Sequence, residues 1–590
     1  MNYKNIIIKI FKWRLKHIDD KNFLLILSVL VGITVGLAAL VLKFSVSLVR
    51  DIVVAIVERY SFNYIYIVFP AVGILLTVLF VKFVIRKNSL GHGIPMVLYN
   101  ISKNGGKIEK HNMFSRIIGS SLTVGFGGSV GLEGPIVATG AAIGSNIGRF
   151  FRLNYKQIIL LIACASTGAV AAIFKAPIAA IIFSMEVIMI DLTSVSLIPL
   201  LLASISAALI SFLFSGQNYV YFVEDIELFS LGNVPYYIIL GIIAGLVSVY
   251  FSKLYLKINE SFKKIKSAYK RYIIGSLILG LLIFLFPSLY GEGYEAVNMA
   301  LNGNINFLFE NSLYSQWNNI LGIIIILSLI ILLKVCATSA TFGAGGIGGI
   351  FAPSLFMGAL LGLLFSYVSS ELGFDIPVSN FALVAMAGVM AGVMHAPLTS
   401  IFLVAELTGG YKLFVPLMIV SAISYFTVRI FMHNSVYTIL LAKKGALLTH
   451  NADENMLTLL KTETLIEKNF LTVTEKNTLG DLVKIIEKSN RTIYVVIDNE
   501  NIFKGIVSLD LVKDKMFKTE LYDKIFVKDI MYMPPSIVGI DMTVKEIAEL
   551  FENSEVYNLP VVDNGRYIGF VSKARVFSSY RKLLKKLSNY

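Results

Sequence analysis

Residues 125–140 read GFGGSVGLEGPIVATG and place one carboxylate, Glu133, among glycines and small apolar residues. The proline stands where a helix would begin, because its missing N–H is unneeded in the first turn. The glycines before it let the backbone approach a ligand closely. The free N–H groups and the positive dipole end of such a helix bind anions. The stretch therefore predicts a helix that begins at an anion site.

Two other glycine-rich turns have the same form, GHGIP at 91–95 and GGIFAP at 348–353. Three helix starts directed at one point would bind an anion weakly enough to release it, as conduction requires. An ionised Glu133 in a low dielectric is costly unless it is satisfied, and an anion site would satisfy it. Two interpretations stay open on the residues alone. Glu133 is a movable gate that competes with the anion, or it is a carboxylate held at a helix start by the dipole.

The composition is that of a polytopic membrane protein. The 590 residues are 56% hydrophobic and 15% charged, with a mean hydropathy of +0.74. The stretch after residue 451 holds about 20 basic and about 20 acidic residues, so the net charge of +14 rests on the membrane part. This is typical of Lys and Arg in cytoplasmic loops. The basic residues are scattered between apolar runs, which disfavours nucleic-acid binding. Cys164 and Cys336 indicate neither a disulfide framework nor a metal site.

The apolar runs fall into two groups. Those long enough to cross a bilayer are 23–49, 64–85, 195–214, 235–256, 272–288, 319–337 and 413–432. Those that we expect to be too short or too broken, because Gly, Ala and Pro interrupt them, are 115–124, 134–148, 157–173, 176–190, 349–367, 380–394 and 396–407. Broken segments are tolerated only where they line a cavity.

The first 445 residues contain an internal repeat. KAPIAAIIFSME at 175–186 matches HAPLTSIFLVAE at 395–406, and GPIVATGAAIG at 134–144 matches APSLFMGALLG at 352–362. Both pairs are about 220 residues apart, which predicts two related halves, about 23–215 and 235–445. Residues 1–22 read as a basic cytoplasmic surface helix before a membrane domain at 23–445. Residues 446–590 read as two copies of a helix–strand–turn–strand unit, a soluble α/β tandem.

The order of GHGIP, GLEGP, GGIFAP and Tyr437 in NSVYTIL resembles the CLC family of chloride channels and chloride/proton antiporters. The most specific stretch is KVCATSATFGAGGIGGIFAPSLFMGALLG at 334–362. The tail resembles a tandem of CBS domains, at about 463–517 and 525–585. The resemblance implies an all-α, multi-pass membrane domain of two inverted repeats with broken helices. It also implies a homodimer with one pore in each subunit and with both termini and the CBS pair in the cytoplasm.

The resemblance also assigns roles to residues. It makes Glu133 the gating glutamate, Ile350 and Phe351 backbone N–H donors to the central anion, and Tyr437 a hydroxyl contact to that anion. Without the family, Tyr437 would read as an interfacial aromatic. His92 replaces the family's anion-coordinating serine, which leaves the preference for chloride over fluoride or nitrate open and suggests pH-dependent transport. The remaining predicted anion-binding residues are Gly93, Ile94, Gly131, Leu132 and Gly134.

Val187 stands where many antiporters of this family have a proton-accepting glutamate. Its neighbour Glu186 matches Glu406 in the other half, which favours a structural role for Glu186. The sequence therefore favours an uncoupled, voltage- or pH-gated channel for a small monovalent anion, with chloride as the leading candidate. A chloride/proton antiporter, in which protons are a second partner, is the alternative.

Other classes of function are disfavoured. A CBS-regulated divalent-cation transporter would need clustered membrane carboxylates, whereas the apolar runs hold isolated ones. A membrane enzyme would need a nucleophile with a nearby base, and no HExxH or GxSxG motif occurs. We expect no cofactor in the membrane domain and membrane lipid as its surroundings. Adenine nucleotide at the CBS pair stays open, because Leu511 and Arg575 stand where nucleotide-binding CBS domains often carry Asp.

Overall fold

The chain forms two compact units, Met1–His450 and Asn451–Tyr590. The computed structural model describes residues 16–60, 67–86, 93–188, 194–217, 220–221, 223, 226–309, 313–314, 316–317, 319–443, 460, 462–554 and 556–588. Within these ranges the first unit is helical apart from one isolated β-bridge. The second unit combines helices with two small sheets.

The helices of the first unit follow one another with short connections. In chain order they are α1 (Asp20–Tyr60), α2 (Phe69–Leu79, continued by a π-helical segment Phe80–Ile85), α3 (Gly93–Lys103), α4 (Asn112–Gly125), α5 (Glu133–Phe150), α6 (Tyr155–Phe174), α7 (Pro177–Glu186), α8 (Ser194–Ser215), α9 (Val234–Lys264), α10 (Ala268–Leu285), α11 (Tyr294–Leu301), α12 (Ile320–Ala344), α13 (Phe351–Glu371), α14 (Val378–Met394), α15 (Pro397–Leu407), α16 (Phe414–Phe431) and α17 (Val436–Ala442).

In the described part of the chain, eight helical segments are long and apolar enough to cross a membrane. The predictions for 157–173 and 349–367 were wrong, because these runs form α6 and α13, unbroken helices of 20 and 21 residues. Their small residues indicate close packing rather than helix ends. In the apolar 18-residue stretch of each helix, 83% of α6 and 78% of α13 is buried. The run 64–85 lies partly outside the described residues, and its described part forms a shorter apolar helix, Phe69–Ile85.

The repeated glycines make the same contact in each half. A Cβ atom on Gly144 of α5 would lie 2.4 Å from the carbonyl oxygen of Leu161 on α6. A Cβ atom on Gly362 of α13 would lie 2.3 Å from the carbonyl oxygen of Phe381 on α14. Only glycine permits such backbone contact. The matched sequences therefore build matched helix pairs, as the repeat predicted.

The two halves also cap each other. Glu186, the last residue of α7, accepts hydrogen bonds from the backbone N–H groups of Leu398 (3.1 Å) and Thr399 (2.7 Å) in the first turn of α15. Glu406, in the last turn of α15, accepts bonds of 3.1 and 2.8 Å from the first turn of α7. Each carboxylate satisfies free N–H groups at the start of the other helix. The two helices are therefore antiparallel and equivalent, as inverted repeats require.

The second unit contains two copies of one three-stranded sheet. Its strands are β1 (Thr472–Val473), β2 (Ile493–Ile497), β3 (Phe503–Ser508), β4 (Val538–Gly539), β5 (Asn558–Asp563) and β6 (Arg566–Ser572). In each sheet the first strand is parallel to the second, and the second is antiparallel to the third. The helices are α18 (Leu479–Glu487), α19 (Leu509–Val512), α20 (Val544–Ser554) and α21 (Lys573–Ser588). The two-residue strands and α21 have no counterpart in the sequence-based prediction.

Candidate functional site

Two of the three glycine-rich turns are hydrogen-bonded to each other. The N–H of Gly131 donates to the carbonyl of Gly349 at 2.9 Å, and the N–H of Gly349 donates to the carbonyl of Gly131 at 2.7 Å. This pair is the isolated β-bridge of the first unit. It brings the start of α5 against the start of α13, although the two residues are far apart in the sequence. A Cβ atom on Gly134 would lie 2.9 Å from the carbonyl oxygen of Gly348, so both turns need glycine.

The third turn reaches the same place. Gly93, the first residue of α3, packs so closely on Gly134 that a Cβ atom would lie 2.4 Å from its carbonyl oxygen. Ile94 is buried beside it. The predicted contact of His92 lies outside the described residues. The starts of α3, α5 and α13 thus meet at one point, as the three motifs predicted.

Glu133 lies at this point and is fully buried. Its Oε1 accepts a long hydrogen bond of 3.4 Å from the hydroxyl of Tyr294. Its Oε2 has no hydrogen-bond partner within the described residues. A Cβ atom on Gly349 would lie 3.0 Å from that oxygen, so the carboxylate is directed at the turn that precedes α13. A buried carboxylate with a vacant acceptor position is costly, and it occupies the space in front of helix N-termini.

The other predicted residues surround the same space. Leu132, Ile350 and Phe351 are buried at the starts of α5 and α13. The ring of Phe351 packs edge-on against that of Phe183, with centroids 5.7 Å apart. Tyr437, in the first turn of α17, is 6% exposed. Its hydroxyl is close enough to Glu133 to interact electrostatically with the ionised carboxylate. The structure therefore brings together every predicted site residue that it describes except Val187.

A family model for voltage-gated chloride channels matches residues 72–429, more than half of the chain. The chain belongs to the CLC family. CLC proteins are anion channels and transporters rather than enzymes. Two further matches, at residues 463–516 and 527–582, identify the second unit as a CBS pair.

Several CLC relatives have names. A ClcB-like chloride channel protein of Ralstonia nicotianae is 32% identical over 351 residues, which cover 58% of this chain and 78% of the relative. The H+/Cl− exchange transporter ClcA of Vibrio parahaemolyticus is 32% identical over 314 residues, covering 52% of this chain and 64% of the relative. Chloride channel protein CLC-f of Arabidopsis thaliana is 26% identical over 517 residues, covering 77% and 65%. The matched region spans about two thirds of the latter two.

Solved CLC structures share the fold. A slow cyanobacterial Cl−/H+ antiporter superposes with a TM-score of 0.62 at 23% identity, covering 71% of this chain and 97% of that one. A eukaryotic CLC transporter superposes with a TM-score of 0.61 at 20% identity, covering 94% and 97%. The second match extends over most of both units.

Val187 of this CLC protein lies at the end of α7, where it is 5% exposed and donates its N–H to the carbonyl of Phe183 at 2.8 Å. It brings no titratable group. Glu186 beside it does not replace one, because its two oxygens are occupied at the start of α15. Thr399 also donates its hydroxyl to Glu186, at 2.6 Å. The contacts confirm the structural role that the match between Glu186 and Glu406 predicted.

Sequence reasoning missed four groups of this CLC site. Tyr294 donates to Glu133, and Glu292 lies in the loop before it. Lys334 is fully buried on α12 and donates to the hydroxyl of Ser129 at 2.9 Å. Lys43 of α1 lines a cavity next to them. The sequence held one signal: GEGY at 291–294 places a carboxylate between glycines, as GLEG does at 131–134.

Proposed function

We propose that this CLC protein exchanges a small monovalent anion, chloride, for protons, and that Glu133 takes part in both movements. The observation that carries the proposal is the burial of the Glu133 carboxylate at the meeting point of α3, α5 and α13, with one oxygen unpartnered among the described residues. An ionised carboxylate there occupies the place that an anion would take. A protonated carboxylate loses its attraction to the helix ends and can leave.

The anion would be held by amide N–H groups and one hydroxyl. The candidates are the backbone N–H groups of the three helix starts, at Gly93, Ile94, Leu132, Gly134, Ile350 and Phe351, with the hydroxyl of Tyr437. The predicted contact of Gly131 is not among them, because its N–H already donates to the carbonyl of Gly349. Dipoles bind a small anion without the tight hold of a fixed cation, so release is fast. His92 would complete the set from the start of α3.

Exchange is better supported than the uncoupled channel that the sequence favoured. That preference rested on a single residue, Val187 at the end of α7. Several relatives are named as H+/Cl− exchangers, among them ClcA of Vibrio parahaemolyticus. A proton can also reach Glu133 through water or through other groups, so Val187 does not exclude coupling. Membership of the CLC family favours anion transport over the divalent-cation transporter that was the other class of function.

The test is flux through the purified full chain in liposomes under an imposed chloride gradient. An exchanger moves protons uphill when the chloride gradient is the only driving force. A channel moves none, and its reversal potential follows chloride alone. Glu133→Gln is the matched variant, since it keeps the shape and removes the titratable group. We expect it to move anions without protons. An absence of chloride-driven proton movement in the wild type would refute exchange.

Two features implied by the resemblance remain part of the proposal: a homodimer and cytoplasmic termini. Exposed apolar side chains on the short helices α7 and α15, such as Ile178 and Leu398, support a surface that another protein or lipid covers. Light scattering in detergent tests the dimer, and labelling of single cysteines in sealed vesicles tests the orientation. Adenine nucleotide at the CBS pair is tested by calorimetry on the full chain.

A further inference from the structure

Glu292 is a second carboxylate of the membrane domain that lacks a full set of partners. Its Oε1 is buried and has no hydrogen-bond partner in the described ranges. Glycines with φ of 64° (Gly291) and 86° (Gly293) flank it, in a backbone region that other residues avoid. A vacant buried acceptor in a loop of fixed conformation needs an explanation, and a role in proton transfer is one.

The loop is tied to the stretch that carries Glu133. The N–H of Gly291 donates to the carbonyl of Gly127 at 2.9 Å. Lys334 joins the two segments, since its Nζ donates to the hydroxyl of Ser129 at 2.9 Å and to the carbonyl of Gly291 at 3.3 Å. The position of Glu292 relative to Glu133 is therefore set by the fold.

A cavity of about 510 Å³ leads to this loop. It is reached from the surface, because exposed residues of α1 form part of its wall. Those residues follow Asp20 by about 30 positions, or about 45 Å along the helix, close to the full thickness of a bilayer. The cavity therefore opens on the membrane face opposite the start of α1. Its lining includes Lys43, Arg50, Asp51, Leu132, Glu292 and Tyr294.

Tyr294 connects the cavity to the gate. It lines the cavity, and its hydroxyl donates to Oε1 of Glu133. The two carboxylates are close enough to repel each other when both are ionised. The other charged or titratable groups that act on Glu292 are Lys43 of α1, Lys334 of α12 and Tyr221, while Arg50 and Asp51 stand at the cavity wall.

We infer that Glu292 is the group through which protons pass between the cavity and Glu133. A proton from water in the cavity binds the Glu292 carboxylate, then moves by way of water or the Tyr294 hydroxyl to Glu133, and Glu292 is left ionised. Repulsion between the two carboxylates favours one shared proton over none. Lys43 and Lys334 keep the ionised form of Glu292 tolerable between turnovers. The inference rests on the proposed exchange, because an uncoupled pore needs no proton path.

The test compares Glu292→Gln with Glu295→Gln in the full chain, each alone and combined with Glu133→Gln. Glu295 is exposed on the first turn of α11, three positions further on, and serves as the matched control. We expect Glu292→Gln to slow chloride-driven proton movement about tenfold or more, because a positioned acid–base group is lost. Acidifying the cavity side should restore part of the rate. Combined with Glu133→Gln it should leave anion flux unchanged, since no proton is then required. Glu295→Gln should change nothing in either background.

The outcomes separate the two proposals. If the wild type moves no protons under a chloride gradient, exchange is wrong and the proton path falls with it. If the wild type exchanges and Glu292→Gln does so at the same rate and with the same pH profile, exchange stands and the role of Glu292 is refuted. If Glu292→Gln lowers anion flux in the Glu133→Gln background as well, Glu292 supports the pore structurally, and the inference is again refuted.

Discussion

Gly131→Ala should displace the Glu133 carboxylate and open the gate, although Glu133 itself is not substituted. The three atoms nearest to a Cβ on Gly131 all belong to Glu133: Oε2 at 2.1 Å, and Cδ and Oε1 at 2.8 Å. Gly131 is not among the glycines with positive φ, so its backbone accepts alanine. The closest conflict of the new methyl group is therefore with the free end of a side chain, which can turn away.

The size of the effect follows from that overlap. Contacts of a Cβ below 3.0 Å are essentially never seen, so Oε2 must move by about 1 Å or more. Overpacking of this kind costs the closed conformer about 1–3 kcal/mol. That energy changes the ratio of open to closed gates by about 5-fold to 150-fold.

The assay is anion efflux from liposomes, with proton movement recorded in parallel. We expect Gly131→Ala to raise anion flux and to lower the number of protons moved per anion. In a Glu133→Ala background the same substitution has no carboxylate to displace and should have no effect. Wild-type flux and coupling in a correctly folded Gly131→Ala protein would refute the idea that this carboxylate blocks the path.

Three further predictions concern other contacts. Gly134→Ala places a Cβ 2.9 Å from the carbonyl oxygen of Gly348 in the facing turn. Because a backbone atom cannot turn away, anion flux should be lost. Normal flux would contradict the close contact between the starts of α5 and α13. Glu406→Gln weakens the charged cap on α7 and should cost about 1–2 kcal/mol, seen as a lower Tm, whereas an unchanged Tm would show the cap to be dispensable. In the CBS unit, burial raises the pKa of Glu467, but hydrogen bonds from Ser572 (2.6 Å) and Arg491 (2.8 Å) outweigh it and hold this pKa below 4.5. The contacts of the ionised Glu467 therefore stabilise the unit above that pH, and this stabilisation is lost on acidification. The Tm of the unit should fall between about pH 5 and about pH 3 in the wild type, and it should fall less in Glu467→Gln. Equal pH dependence of the two proteins would contradict this role of Glu467.

The sequence predicted the parts of the site that local chemistry determines. Proline after glycine located the helix starts at Glu133 and Phe351, and the repeat located Glu186 and Glu406. Helix lengths were misjudged where glycine and alanine serve packing, as at Gly362 on α13 against α14. Tertiary contact, rather than local propensity, keeps α6 and α13 unbroken.

The charged groups near the gate were beyond sequence reasoning for a different reason. Lys43, Glu292 and Lys334 come from three distant segments, and no spacing in the chain relates them. Each alone reads as an isolated charge in an apolar region. Their meeting depends on the loop geometry at Gly291, which only the folded chain reveals.

The most direct test of the account is anomalous diffraction from crystals grown in bromide, with the wild type and Glu133→Gln compared. We predict a bromide peak beside the backbone N–H groups of Ile350 and Phe351 in Glu133→Gln, at the place that the wild-type carboxylate occupies. The wild type should show no bromide at that place while its carboxylate fills it. A variant without bromide there, or a wild type that binds bromide beside an unmoved carboxylate, would contradict the claim that Glu133 and the transported anion compete for one site.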